Sequence, residues 1–337
     1  MSLAYEEILA MDPITARLRM PRPPRVAAFI LSALAAVVLS VSSGCGSGDD
    51  AAADDETDAG LPAVEAYTCQ TTLASEANLC PLTWTGKVSA CSVAADGTPS
   101  PQGYLELTSP AGEKSYICAN NWAGSDGYMF SNDREHTTAK ADDCCQALAA
   151  VQTGPMPFDK SFGLLHGPTH VKPQEMMSPP NGELRQNPFA VIVASEADGQ
   201  EYLTQVAQWN MWAGDGQPHP GPDGTGAYYF PSPVPVNYVV VPTSKGAPII
   251  VIAPEVSEDP EFKTPLGHPT QGACDGQGGA PLAFIAGDIQ GTTVSNGSGR
   301  FGYELTITKE VLENTKTLFN CYGIPMNDIL FTPPAFH

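Results

Sequence analysis

Two histidines four residues apart, in His166-Gly-Pro-Thr-His170, are the first pair in the chain whose spacing suits chemistry. Imidazoles at that interval can share a metal ion from one helix face, but Gly167 and Pro168 make this stretch a loop. A loop can still ligate, and Asp159, Glu175, Asp215 or His219 would complete a set. No H-E-x-x-H occurs in the chain, so the two rings read first as groups fixing loop carbonyls, with a metal as the rival role. Asp215-Gly-Gln-Pro-His-Pro-Gly-Pro-Asp223-Gly reads as an acidic turn, because the alternating acids and closing Glu of a calcium loop are missing. Trp209, Trp212, Tyr228, Tyr229 and Phe230 could stack on a sugar or a protein partner, although core packing is the commoner use of such residues. G-x-S-x-G is absent, and Gly276 to Gly279 lacks the P-loop lysine. Hydrolases and nucleotide-binding enzymes of the standard types are therefore not indicated, and no cofactor is implied.

A second set of polar residues lies near the C-terminus. Ala286-Gly-Asp-Ile-Gln-Gly-Thr-Thr-Val-Ser-Asn-Gly-Ser-Gly-Arg-Phe301, followed by a helix starting near Thr308, resembles a hairpin-and-helix element of plant IQ-motif calmodulin-binding proteins and some bacterial toxin-like proteins. In those families a strand ending in Ala-Gly leads through a turn to Ser-Gly-His-Tyr and a capped helix, with a His upstream. Here Ser298-Gly299 matches, Arg300 and Phe301 stand where His and Tyr are expected, and His268 answers to the upstream His; the IQ motif itself is not present. The resemblance implies a module binding an anionic small molecule near His268, Asp288, Ser298 and Arg300, the candidate catalytic residues. Read from the residues alone, Arg300 either holds a carboxylate or phosphate or pairs with Asp288 in a structural turn.

The start of the chain points to a compartment. Arg22 and Arg25 precede an apolar run from Val26 to Val41, too short for a comfortable membrane span of about 20 residues. Ser42-Ser43-Gly44-Cys45 follows and resembles the lipobox of bacterial lipoproteins, with Ser42 where Leu is usual. That resemblance implies a signal peptide over 1–44, lipidation of Cys45, and, with Gly46 after the Cys, an outer-membrane address in the cell envelope. Residues 45–65 carry seven acids and no base, and read as a disordered acidic tether. Residues 66–337 hold 12 Lys or Arg against 27 Asp or Glu, which excludes DNA and RNA as partners because phosphate binding needs basic side chains. The expected partners are the membrane, through Cys45, and an unidentified protein or glycan.

Eight cysteines remain: Cys69, Cys80, Cys91, Cys118, Cys144, Cys145, Cys274 and Cys321. An even number in an exported chain reads as four disulfides, and the lack of any C-x-x-C argues against zinc. Six fall between Cys69 and Cys145, which suggests a stapled N-terminal module. Adjacent Cys144 and Cys145 should take different partners. A Cys274–Cys321 bond would tie the C-terminal helix to the sheet.

The elements that must position these residues divide as 66–152, a small Cys-rich β module; 153–188, a Pro-rich linker or ordered loop; and 189–337, a β-rich domain with a C-terminal helix. Strands are expected at 103–108, 114–118, 127–130, 189–194, 202–212, 237–241, 247–253 and within 281–294, and a helix over 140–151. The apolar runs of the second half suggest strands covered on both faces. Thr308 should cap a helix whose Val311, Leu312, Thr315, Leu318 and Phe319 share one face, ending at Tyr322-Gly323. The class is α+β with β dominant: antiparallel or mixed sheets, few helices, long Pro/Gly loops, and disulfide staples. The expected function is that of an exported, membrane-anchored binding or structural protein; the alternative is an extracellular enzyme or toxin-like module.

Overall fold

The computed structural model describes residues 63–70, 78–130, 137–138, 140–146, 158–244, 246–272, 278–301 and 307–333. The expected leader, Cys45, the tether up to residue 62, and Cys274 lie outside them. Residues 59–337 form one compact unit.

The first sheet is built from β1 (Thr85–Ala90), β2 (Gly103–Thr108), β3 (Lys114–Trp122), β4 (Tyr128–Phe130) and β5 (Thr137–Thr138), with the short helix α1 (Ala141–Gln146) beside it. Alternation decides the face. Gly103, Leu105 and Leu107 of β2 are buried, and Tyr104, Glu106 and Thr108 between them are half-buried. Next come β6 (Phe158–Asp159) and β7 (Gly163–Leu164), a two-stranded hairpin, then β8 (His170–Val171) and β9 (Gly182–Glu183). The Pro-rich stretch thus runs, from Phe158 on, as an ordered loop with β8 and β9 as strands of the first sheet, whose order is β8-β4-β3-β2-β1-β9 with β5 beside β3.

The second sheet comprises β10 (Val191–Val193), β11 (Val236–Val241), β12 (Ile249–Pro254), β13 (Ile285–Gln290), β14 (Thr293–Ser295) and β15 (Asp328–Leu330), in the order β10-β12-β11-β13-β14-β15. All pairs are antiparallel except β14–β15, so the sheet is mixed. Both faces are covered, as the apolar runs suggested. Tyr238, Val240, Ile250 and Ile252 enter one core, which also receives Val88, Leu105, Leu107 and Ile117 of the first sheet. Val239, Val241, Ile249 and Val251 enter another, with Leu79, Ala283 and Phe301.

Helices α2 (Glu196–Trp212) and α3 (Lys309–Cys321) contribute to the first of these cores. The strand expected at 202–212 is instead most of α2. Its start is specified by Ser195, whose hydroxyl accepts from the Asp198 amide at 3.3 Å, and by Asp198, which accepts from Ala194 N and Ser195 Oγ. Buried Gly199, Tyr202 and Trp209, with Val206 packed against the core, follow a helical interval. The α3 helix matches its expectation: the Thr308 hydroxyl accepts from Val311 N, and Val311, Leu312, Thr315, Leu318 and Phe319 are buried. Gly323, at φ 74°, takes the left-handed turn past its end.

Cys91–Cys145 and Cys118–Cys144 tie α1 to the first sheet, so the adjacent cysteines take different partners. Cys321 does not bond Cys274. It bonds Cys69, which corrects both that pairing and the idea that Cys69 belongs only to an N-terminal module. The reason is local. Asn314 on α3 accepts from Tyr67 N at 2.9 Å and donates to Glu65 O and Ser161 O at 2.8 and 2.7 Å, and so lays the segment before Cys69 along α3.

Candidate functional site

The C-terminal candidates come together where the loop between β14 and α3 meets β8. Asp288 sits on β13 opposite Asn237 of β11. His268 heads a single 3-10 turn and is buried; its Nε2 lies 3.1 Å from the Gly287 carbonyl, which it serves as the donor in its neutral form, and 3.9 Å from Asp288 Oδ1. Ser298 is fully buried, and its Oγ accepts from the amides of Arg300 and Phe301 at 3.1 and 3.0 Å, so it shapes the turn from within.

Arg300 is buried and pairs with Glu175, which the sequence offers only as a metal-ligand candidate. Its Nη1 donates to Glu175 Oε2 and to the His170 carbonyl, both at 2.9 Å. The expected structural pairing with Asp288 is therefore replaced by one with Glu175, on the 3-10 turn Pro173–Glu175 after β8. Glu175 is wholly buried, and its Oε2 also accepts from Lys172 N at 2.8 Å, so the carboxylate is already aimed before Arg300 arrives. With Thr169 N donating to Arg300 O at 2.7 Å, the guanidinium locks the edge of the first sheet to the tail of the second.

The electrostatics follow from burial. It pushes His268 down to about 4, with Arg300 adding to the shift. His170 also falls to about 4, through burial and then through Arg300 and Lys172. Burial pushes the Glu175 carboxyl up, against the pull of Arg300. It raises Asp288 to about 6. Glu255, just past β12, rises for the same reason and because Asp288 repels its charge. Both histidines are thus neutral at pH 7, and three carboxyls, Glu175, Asp288 and Glu255, hold their protons more tightly than usual.

The His166–His170 pair is not brought together on one ligand. His166 makes a two-way backbone bridge with Ala283, and His170 lies in β8 with its ring 3.2 Å from Thr169 Oγ1. Asp159 caps the β6–β7 turn through Ser161 N and Phe162 N, and Asp215 binds His219 at 2.9 Å. Among the described residues no group of three His, Cys, Asp or Glu is arranged to hold a metal ion. Asp215 and Asp223 each close a tight turn on their own loop, through Gln217 N and Thr225 N. Trp209 is buried, and one face of Trp212 is taken by the His219 ring, stacked at 4.5 Å, so these aromatics pack against the protein.

Glu175 and Glu255 were not singled out for this site from the sequence. Glu175 had one readable signal: an acid three residues after Lys172, with Pro173 between, is placed to accept from the amide that opens a turn. Glu255 had none, because its neighbours come from strands far along the chain. Comparison of the chain with protein-family models, with curated proteins and with solved structures finds no match in any of the three.

Proposed function

We propose that this chain is an exported lipoprotein, anchored through Cys45 after removal of residues 1–44, that serves in the cell envelope as a binding or structural protein. The observation that carries the reading is the state of the thiols: Cys69, Cys80, Cys91, Cys118, Cys144, Cys145 and Cys321 are all disulfide-bonded. Such a complement belongs to an oxidising compartment. The lipobox-like leader and the acidic stretch after it supply the route and the tether. The carbonyl of Glu65, the tether's last residue, accepts from Asn314, and Cys69 beyond it is bonded to Cys321.

The alternative, an enzyme or toxin-like module holding an anionic small molecule at His268, Asp288, Ser298 and Arg300, draws less support. Nη1 of Arg300 is committed to Glu175 and His170, Ser298 Oγ is committed to backbone amides, and Asp288 and Glu255 would repel an anion. Membrane fractionation of a Cys45→Ala variant tests the anchor. The variant should leave the membrane fraction for the soluble one, and retention in the membrane would refute lipidation.

A further inference from the structure

The chain enters the fold as a strap, residues 63–70, that has no helix or strand of its own. Among the described residues, few hydrogen bonds hold it down. Glu65 N donates to Lys160 O at 2.7 Å, Tyr67 N to Asn314 Oδ1 at 2.9 Å, and Asn314 Nδ2 to Glu65 O at 2.8 Å. The ion pair of Glu65 with Lys160, 3.3 Å apart, has both side chains mostly in water and adds little. Tyr67 is the one residue of the strap that is buried, and it packs against the Phe162 ring at 5.1 Å. Packing is thin beside it: a cleft of about 500 Å³ lies between residues 64–66 and Lys309, Glu310 and Glu313 on the first turns of α3. The covalent fastening is Cys69–Cys321. Its accessibility sets it apart. Cys69 is exposed, whereas Cys80, Cys91, Cys118, Cys145 and Cys321 are half-buried and Cys144 is buried.

We infer that residues 63–70 are a redox-released strap: a dithiol reductant opens Cys69–Cys321 ahead of the other disulfides, and the segment then lifts from α3. Exchange begins when a thiolate reaches a disulfide sulfur, so access to the sulfur decides which bond opens first. The exposed sulfur of Cys69 is the one attacked. An S–S bond forms between the reductant and Cys69, the Cys69–Cys321 bond breaks, and Cys321 leaves with the electron pair and takes a proton from water. The reductant's second thiol then displaces Cys69 in the same way. The dithiol is oxidised to a disulfide, and its two hydrogens end on Cys69 and Cys321. Opening this bond unties the strap and parts no strands, because Cys91–Cys145 and Cys118–Cys144 still bind α1 to the first sheet. What then holds the strap is the Tyr67 ring and a few hydrogen bonds that water can replace. The joint between the body and the acidic stretch before it changes from fixed to hinged. That consequence rests on the tethered reading above; the order of reduction does not.

The test titrates the purified full chain with dithiothreitol at neutral pH without denaturant, blocks new thiols with N-ethylmaleimide, and locates them by peptide mass spectrometry. Cys69 and Cys321 should be labelled at about tenfold less dithiothreitol than Cys80, Cys91, Cys118, Cys144 and Cys145. Hydrogen exchange on the same samples should quicken at the Glu65 and Tyr67 amides while β11 and β12 stay protected. Linkage supplies an independent arm: if opening frees the strap, loosening the strap must ease opening. Asn314→Ala removes the bonds to Glu65 O and Tyr67 N. It should lower the dithiothreitol needed for Cys69–Cys321 by about fivefold and leave the first-sheet bonds unmoved. A chain with Cys69→Ser and Cys321→Ser gives the reading without reductant: fast exchange at Glu65 and Tyr67 in a folded body. Three outcomes each overturn the strap: Cys69–Cys321 opening with or after the first-sheet bonds, exchange at Tyr67 N staying slow once it is open, or a midpoint unmoved by Asn314→Ala. Membrane release of Cys45→Ala is read separately, so a failed strap leaves the anchor standing and a failed anchor leaves the strap.

Discussion

Strands β2 and β12 are six residues each and are stabilised differently. In β2 only every second residue is buried; in β12 all six are. A sheet closed on one face contributes about half the apolar area of one closed on both, and hydrophobic stabilisation scales with that area. Two disulfides, Cys91–Cys145 and Cys118–Cys144, fall in the one-faced region and bind α1 to it. A further bond between described residues, Cys69–Cys321, fastens the incoming segment to α3 and joins no strands of the second sheet. The two staples that bind strands of the first sheet are thus placed where packing is thin, while Cys80, also disulfide-bonded, packs against the outer core of the second sheet. On this view the two regions differ in what would unfold them.

Removing both staples of the first sheet should have the largest effect. Cross-links spanning 26 and 54 residues are each worth roughly 3 to 4 kcal/mol by loop closure, and nesting makes their sum an upper bound. In a variant with Ala at 91, 118, 144 and 145, hydrogen exchange should quicken in β2 and β3 while β11, β12 and β13 stay protected. Simultaneous loss of protection in both sheets would show that they fold as one cooperative unit and would end the contrast.

Arg300 tests the junction between the two regions. It joins Glu175 and the His170 carbonyl of the first sheet's edge to the loop after β14. Arg300→Ala would leave the Glu175 carboxylate buried and uncompensated, at a cost of about 3 to 5 kcal/mol. Chemical denaturation should record that loss, and adding Glu175→Gln should restore part of it. A loss below about 1 kcal/mol would mean that Glu175 is not charged in the folded protein.

What could be read in advance follows the range of the interaction. Strands β2, β3, β4, β10, β11, β12 and β13 were legible because alternation and unbroken apolar runs are local patterns, and α3 because Thr308, Val311 and Leu312 are neighbours; β1, β5, β8, β9 and β15, where that pattern is short or broken, were not. The α2 helix was missed: its core positions include Gly199, which carries no apolar signal, and its aromatics Tyr202, Trp209 and Trp212 suit a strand equally well. In the candidate site His268, Asp288, Ser298 and Arg300 do converge. The partner of Arg300 could not be foreseen, because Glu175 is 125 residues away and reaches it only after both sheets form. The cysteine pairing failed similarly. Cys69 and Cys321 are 252 residues apart, and the residue that aligns them, Asn314, reads as one more polar position on a helix.

The smallest expected effect concerns charge at the same junction and can be isolated by its sign. Burial raises Asp288 from 3.8 to about 6, so the folded protein keeps a proton there that the unfolded chain has lost. The stability this gives is complete below about pH 4 and is lost as pH rises to 6. His170 and His268 move the other way, from 6.5 to about 4; they cost stability in acid and return it as pH rises toward 6.5. Between pH 4 and 6.5 the carboxyl and the imidazoles therefore oppose each other. Asp288→Asn removes one side of that balance without touching the staples or the Arg300 bridge. Its melting temperature should climb more steeply than that of the parent from pH 4 to 6.5. At pH 7 it should stand about 2 °C above the parent, as expected for on the order of 1 kcal/mol from a partly screened carboxylate. Curves that run parallel would mean that the 34 % of the Asp288 side chain open to water is enough to keep its titration like that of the unfolded chain, and this charge would then not distinguish the two regions.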